Sequence, residues 1–103
     1  RLDDDEGRAL YLAEGLAHGF CALTDGAMVA YLCSEAYAPD REHAVHALDP
    51  DLAVAWPVAE PTLSARDAAA PALTRARGEG LLPDHAACMA LYASLRRTSE
   101  LGK

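Results

Sequence analysis

The first third of the chain alternates between apolar and polar positions in short runs. Residues 8–15 (RALYLAEG) repeat with a period of two, which predicts a β-strand ending at Gly15. Residues 18–33 hold two apolar runs joined by Asp25-Gly26. An Asp-Gly pair between apolar runs is typical of a hairpin, because the tight turn needs positive φ angles. We therefore expect a strand followed by a hairpin.

Two more short apolar runs, residues 44–48 and 52–56, flank the predicted turn Asp49-Pro50-Asp51. Short strands at such close spacing are typical of all-β folds. Over this half of the chain the pattern therefore predicts a mostly β structure, either a sandwich or a barrel.

After residue 57 prolines interrupt the chain and the pattern becomes helical. Ser64 is a good N-cap for a short helix over residues 64–70, and residues 72–77 predict a second helical turn. The strongest prediction is a helix within residues 81–97, with Pro83 in its first turn. Its apolar positions recur at the three- and four-residue spacing of one helix face.

The chain has 103 residues, of which 51% are hydrophobic, so we expect one compact domain. Its formal net charge of -7 argues against a general nucleic-acid binder, which needs a basic face. Three cysteines without CxxC spacing fit a reducing cytoplasm better than a disulfide scaffold. Neither a signal peptide nor a membrane-spanning apolar run is evident. We expect a cytoplasmic protein that binds neither nucleic acid nor membrane.

Four motifs follow one another along the chain: EGLAHGF, AYLCSEAYAPDRE, LDPDLAVAWP and LSARDAAAP. Together they resemble the C-terminal half of the dTDP-4-dehydrorhamnose 3,5-epimerase family, from Arg8 to Leu73. The tail is similar to actinobacterial members, several of which serve antibiotic deoxysugar pathways. The resemblance implies a cupin-type jelly roll, usually dimeric and here a partial barrel. Residues 1–57 would be its C-terminal strands and residues 58–103 a Pro-rich segment with C-terminal helices, and the family's N-terminal half would be absent.

The resemblance also implies an activity, cofactor-free epimerisation beside the ketone of a dTDP-4-keto-6-deoxyhexose. This reaction removes a proton from one face of a carbon and returns one to the other face. It needs a base, an acid and a group that stabilises the enolate. Tyr31 matches the family's acid, and Asp67 matches the aspartate that pairs with the histidine base. That histidine belongs to the family's N-terminal half, so we expect this chain to be inactive alone.

Two further residues match family positions that bind the substrate. His18 corresponds to a residue of the sugar pocket. Many members carry an aromatic residue where this chain has Ala36. Tyr37 would therefore stack on the thymine base alone. A two-residue hairpin loop would place His18 and Tyr31 on one sheet face, about 7–8 Å apart. A three-residue loop would place them on opposite faces, and we expect the shared face.

Each of these residues also has a purely structural interpretation. Periodicity alone favours core positions for His18 and Tyr31, and a first-turn helix position for Asp67. Two other functions stay open: a non-catalytic or truncated cupin binding or structural module, and a metal-dependent cupin isomerase using His43 and His46. This HxxH pair lacks further ligands at useful spacing, so we favour solvated surface histidines and expect no metal.

Overall fold

Three α-helices and one short 3-10 turn are the regular elements of the computed structural model, which describes residues 1–102. The elements are the 3-10 turn Pro39–Arg41 and the helices α1 (Ala65–Ala68), α2 (Leu73–Gly78) and α3 (His85–Leu101). The chain divides into two units, one of Ala17–Leu82 and one of Arg1–Leu16 with the chain from Pro83 onward. Within residues 1–102 no helix is long and apolar enough to cross a membrane.

No β-strand forms in residues 1–102, so the predicted mostly β, cupin-type jelly roll is wrong. A strand requires that its backbone N–H and C=O groups pair with a neighbouring strand about 4.8 Å away. The backbone hydrogen bonds outside the described helices are instead local, apart from the bond of His46 N–H to Pro71 O at 2.9 Å. Alternating apolar residues indicate a preference for a half-buried strand, but they do not supply the partner strand. Residues 8–15, 18–33 and 44–56 therefore contain no strand.

The Asp25-Gly26 pair does form a turn, but not one that suits a hairpin. The Ala27 N–H donates to Thr24 O at 3.4 Å, and Gly26 has a φ of +70°. Asp25 is not among the residues with positive φ, so only the second central position of the turn has one. This sign pattern belongs to type II, whereas the twist of paired strands favours types I′ and II′. The chain turns here without strand pairing.

The three predicted helices are present, with small shifts at their ends. Ser64 caps α1, as its position predicts. The carboxylate of Asp84 caps α3 by accepting the Ala87 N–H at 2.7 Å. Pro83 therefore precedes the cap and does not stand in the first turn of the helix. Ala72, at the N-cap of α2, offers no side-chain acceptor, so that helix needs a cap from elsewhere in the chain.

In the unit that contains α3, two contacts join this helix to the N-terminal segment. The rings of Tyr11 and Tyr92 lie with centroids 6.5 Å apart, and the Arg96 guanidinium lies 5.8 Å from the centre of the Tyr92 ring. Hydrogen bonding to the Tyr92 side chain is the main cause that raises the pKa of Tyr11 to about 12. Gly15, with a φ of +88°, lies so close to the helix that a Cβ there would be 2.5 Å from Cys88 Sγ. Only glycine fits at this point.

In the unit Ala17–Leu82, the buried residues are Ala76 of α2 and the charged Asp49. Apolar side chains earlier in this unit, such as Met28 and Leu32, are largely exposed. The best-packed part of this unit is therefore the neighbourhood of α2.

Candidate functional site

Asp67 lies in the first turn of α1, where it forms two hydrogen bonds with Ser64. Its backbone N–H donates to Ser64 Oγ at 3.1 Å, and that hydroxyl donates to Asp67 Oδ2 at 2.7 Å. The carboxylate is exposed, and among residues 1–102 no side chain or backbone N–H donates to Oδ1. That oxygen can accept an N–H from an approaching group such as an imidazole.

The neighbouring Arg66 connects α1 to Glu42. Its Nη1 lies 3.6 Å from Glu42 Oε2, and its Nη2 donates to Glu42 O at 3.4 Å. Both side chains are substantially exposed, so the ion pair contributes about 0–1 kcal/mol. The pair nevertheless joins the start of α1 to Glu42, which lies earlier in the chain.

Asp49 is a buried carboxylate with both oxygens hydrogen-bonded. Only 6% of the residue is exposed. Oδ2 accepts the Leu73 N–H at 2.6 Å, and Oδ1 accepts the Asp51 N–H at 2.7 Å. These two donors, Leu73 first, hold the pKa of Asp49 below its usual value. The bond to Leu73 supplies the cap that α2 lacks at Ala72.

The sequence pattern assigns Asp49 to a turn and gives it no further role. The local bond to the Asp51 N–H has a sequence signal, because an aspartate that bonds the backbone two residues on is typical of an Asx turn. The bond to Leu73 has no such sequence signal, since that residue lies 24 positions away. The alanine at the N-cap of α2, Ala72, is the one hint that a distant acceptor is needed.

Trp56 lies beside Gly19, the residue after His18. Its indole N–H donates to Ala47 O at 2.8 Å, which fixes the ring. The far edge of the ring, Cη2, lies 3.9 Å from where a Cβ on Gly19 would stand. This is an ordinary van der Waals separation, so the indole edge lies beside the Gly19 backbone and leaves room for a Cβ there.

The three other candidates lie on the surface. Tyr31 is 73% exposed and Tyr37 is 74% exposed, and His18 is exposed as well. None of the described hydrogen bonds, ion pairs or aromatic contacts joins any two of His18, Tyr31, Tyr37 and Asp67. The predicted shared sheet face of His18 and Tyr31 is wrong, because the two segments that hold them form no strand pair.

Within residues 1–102, the two described depressions include none of these residues, and neither does a metal-binding cluster. One open depression is lined by Ala22, Leu23, Thr24 and Asp25, and it includes none of the four candidates. Across residues 1–102 no three His, Cys, Asp or Glu side chains are placed to hold a metal ion. His46 uses its Nδ1 to accept the Leu48 N–H at 3.2 Å.

Comparison with known proteins decides the family. Residues 1–75 match the sequence profile of a family described as dTDP-4-dehydrorhamnose 3,5-epimerase. This chain belongs to that family. The epimerase-family match covers the positions of His18, Tyr31, Tyr37 and Asp67, and it ends shortly after the start of α2. The resemblance carried by the four sequence motifs is confirmed.

Curated relatives of this epimerase-family chain come from Streptomyces and Mycobacterium. It is 54% identical to a dTDP-4-dehydrorhamnose 3-epimerase of Streptomyces niveus over 91 residues, 88% of this chain and 44% of the relative. It is 53% identical to a dTDP-4-dehydrorhamnose 3,5-epimerase of Streptomyces griseus over 96 residues, 92% of this chain and 48% of the relative. A third relative, the dTDP-4-dehydrorhamnose 3,5-epimerase of Mycobacterium tuberculosis, is 56% identical over 85 residues, 80% of this chain and 42% of the relative.

The chain thus spans about half the length of the curated relatives it matches. No solved structure matches it. The relatives named 3-epimerase and 3,5-epimerase are equally similar to this chain, so overall identity does not distinguish inversion of one carbon from inversion of two.

Proposed function

We propose that the complete natural protein containing this chain is an epimerase of a dTDP-4-keto-6-deoxyhexose in deoxysugar biosynthesis. It inverts one or both carbons next to the ketone. The observation that carries the proposal is the family match over residues 1–75, supported by relatives more than 50% identical that bear epimerase names. Because the chain spans about half of those relatives, the activity is proposed for the complete protein.

In this proposal a histidine from outside the chain removes the proton next to the ketone. Asp67 accepts the N–H on the far side of that imidazole, which fixes its tautomer and favours its protonated form. The Ser64 hydroxyl holds one oxygen of Asp67 and leaves Oδ1 for this contact, which supports the assignment. Tyr31 then donates its phenolic proton to the opposite face of the enolate carbon, after which solvent reprotonates the phenolate and takes the proton from the imidazolium.

His18 and Tyr37 contribute binding in this proposal. His18 lines the sugar site, and Tyr37 stacks on the thymine base. Residues 1–57 would thus supply His18, Tyr31 and Tyr37 to the site, and residues 58–103 would supply Asp67. We propose further that the protein acts without a cofactor, as a cytoplasmic homodimer.

Deuterium uptake from D2O tests this function directly. The complete natural protein is incubated with dTDP-4-keto-6-deoxyglucose, and the carbons next to the ketone are followed by proton NMR. We expect deuterium at one or both carbons, and the number labelled reports how many centres react. Absence of uptake rejects the epimerase proposal. A chelator-treated sample is the control, because loss of uptake after metal removal would favour a metal-dependent isomerase.

A further inference from the structure

Three ties hold the segment on both sides of Asp67 to residues 42–49. Arg66 pairs with Glu42 immediately before Asp67. The His46 N–H donates to Pro71 O at 2.9 Å, four residues after Asp67. The third tie, Leu73 N–H to Asp49, lies six residues after Asp67. The turn that carries Asp67 is thus fixed at both ends to one short stretch of chain.

The strongest of these three ties is the hydrogen bond from the Leu73 N–H to Asp49. The Glu42–Arg66 pair is exposed, and exposed ion pairs hold their geometry weakly. Asp49 is buried and accepts two short hydrogen bonds from backbone N–H groups, one of which fixes its own turn. A carboxylate that accepts backbone N–H groups makes stronger bonds than a neutral acceptor does. Asp49 therefore locks residues 49–51 and the start of α2 into one rigid piece.

We propose that Asp49 is a positioning residue for the epimerase reaction, acting on Asp67 through the Pro71-to-Leu73 backbone. This inference rests on the proposed function. Asp49 touches neither the substrate nor the reacting atoms. It holds the end of the α1–α2 segment, so that the Asp67 carboxylate stands where the imidazole of the base requires it. A displacement of about 1 Å at such a group can cost about a hundredfold in rate.

The test uses the complete natural protein with two substitutions at Asp49. Asp49→Ala removes both hydrogen-bond acceptors, and Asp49→Asn keeps one acceptor oxygen but offers an N–H where the other stood. We expect kcat for deuterium exchange to fall about ten- to a hundredfold in Asp49→Ala and by less in Asp49→Asn, with KM little changed. Asp49→Asn also covers the case in which the alanine variant fails to fold.

Asp84→Ala is the matched control, since it removes another aspartate that caps a helix, at α3, outside the unit that holds Asp67. It should lower the melting temperature and leave kcat unchanged. Amide hydrogen exchange adds a readout that does not depend on activity. Exchange at Asp67 and Ala68 should accelerate in Asp49→Ala but not in Asp84→Ala.

A double-substitution cycle decides whether Asp49 acts through Asp67. If it does, Asp49→Ala combined with Asp67→Asn lowers kcat no further than Asp67→Asn alone. Losses that multiply would overturn the positioning role while leaving the epimerase proposal standing, and so would an Asp84→Ala loss as large as that of Asp49→Ala. If the unsubstituted protein shows no deuterium exchange, the proposed function fails and this inference fails with it.

Discussion

Asp49 caps a helix that begins 24 residues further along the chain, since its Oδ2 accepts the Leu73 N–H at 2.6 Å. This bond is the main cause that lowers the pKa of Asp49 from 3.8. A carboxyl group whose pKa is lower in the folded state stabilises the protein at pH values above its unfolded pKa. That contribution is lost as the pH falls through the lower, folded pKa.

We therefore expect the protein to lose stability below about pH 4, with Asp49 as one of the groups responsible. Urea unfolding of the complete natural protein at a series of pH values measures this. Asp49→Asn should be less stable than the unsubstituted protein at neutral pH and should show a shallower decline in acid, because the amide does not titrate. Parallel declines in the two proteins would show that Asp49 does not contribute to the acid transition.

Removal of the Ser64 hydroxyl should weaken the turn that carries Asp67. Ser64→Ala deletes both the acceptor for the Asp67 N–H and the donor to its carboxylate. Loss of such a cap costs about 1 kcal/mol in the free energy of unfolding. Urea unfolding measures the change, and Ser64→Thr, which keeps a hydroxyl, should retain most of the stability. Equal losses in the two variants would mean that the hydroxyl is not the stabilising group.

Tyr31→Phe separates proton removal from proton return. The variant lacks the phenolic proton, so we expect the complete protein to exchange a proton with solvent on the base's side of the sugar but to invert the carbon slowly. Proton NMR of the product in D2O distinguishes exchange with retention from exchange with inversion. Tyr37→Phe, which keeps the ring, is the control and should invert at a near-normal rate. Normal inversion by Tyr31→Phe would remove Tyr31 from the acid role.

Gly15 should tolerate no side chain. Gly15→Ala places a Cβ 2.5 Å from Cys88 Sγ and 2.7 Å from Cys88 Cβ, at a φ of +88°. Gly7→Ala is the matched control, because Gly7 also has a positive φ but no atom near enough to meet a Cβ. The positive φ alone costs about 1–2 kcal/mol. We expect thermal unfolding to show a larger loss for Gly15→Ala than for Gly7→Ala; similar losses would contradict the close contact with α3.

Tyr92→Phe should lower the pKa of Tyr11 from about 12 towards 10.0, since hydrogen bonding to Tyr92 is the main cause of the shift. The raised pKa means that the Tyr11–Tyr92 contact stabilises the protein below pH 10 and that this contribution is lost as the pH rises through about 12. Ultraviolet titration of the phenolates measures the shift. Tyr37→Phe removes a tyrosine elsewhere and should leave the titration of Tyr11 as it is.

Local signals predicted the helices well and the strands badly, for a physical reason. The Ser64 cap acts on the residues that follow it, so a short stretch of sequence contains all of its partners. The apolar face of α3 is local in the same way, because its members, Cys88, Leu91, Tyr92 and Leu95, recur at three- and four-residue spacing within one helix. A strand near Tyr31 would depend on hydrogen bonds from another segment, and alternation of apolar residues holds no information about that segment.

In the candidate site, too, local contacts can be predicted from the sequence and distant ones cannot. The sequence predicts the position of Asp67 in a first helical turn, because the Ser64-to-Asp67 spacing is local. The role of Asp49 could not be predicted, since its decisive partner, Leu73, lies 24 residues away and offers only a backbone N–H. Because every residue except proline has a backbone N–H, the sequence does not show which one donates. The family resemblance supplied His18, Tyr31 and Tyr37, and their roles stay predictions.

The three ties around Asp67 follow the same order along both segments. Glu42 meets Arg66, His46 meets Pro71 and Asp49 meets Leu73, so the two segments run in the same direction. The entropic cost of loop closure falls mainly on the first tie, because the other two then form inside a loop that is already closed.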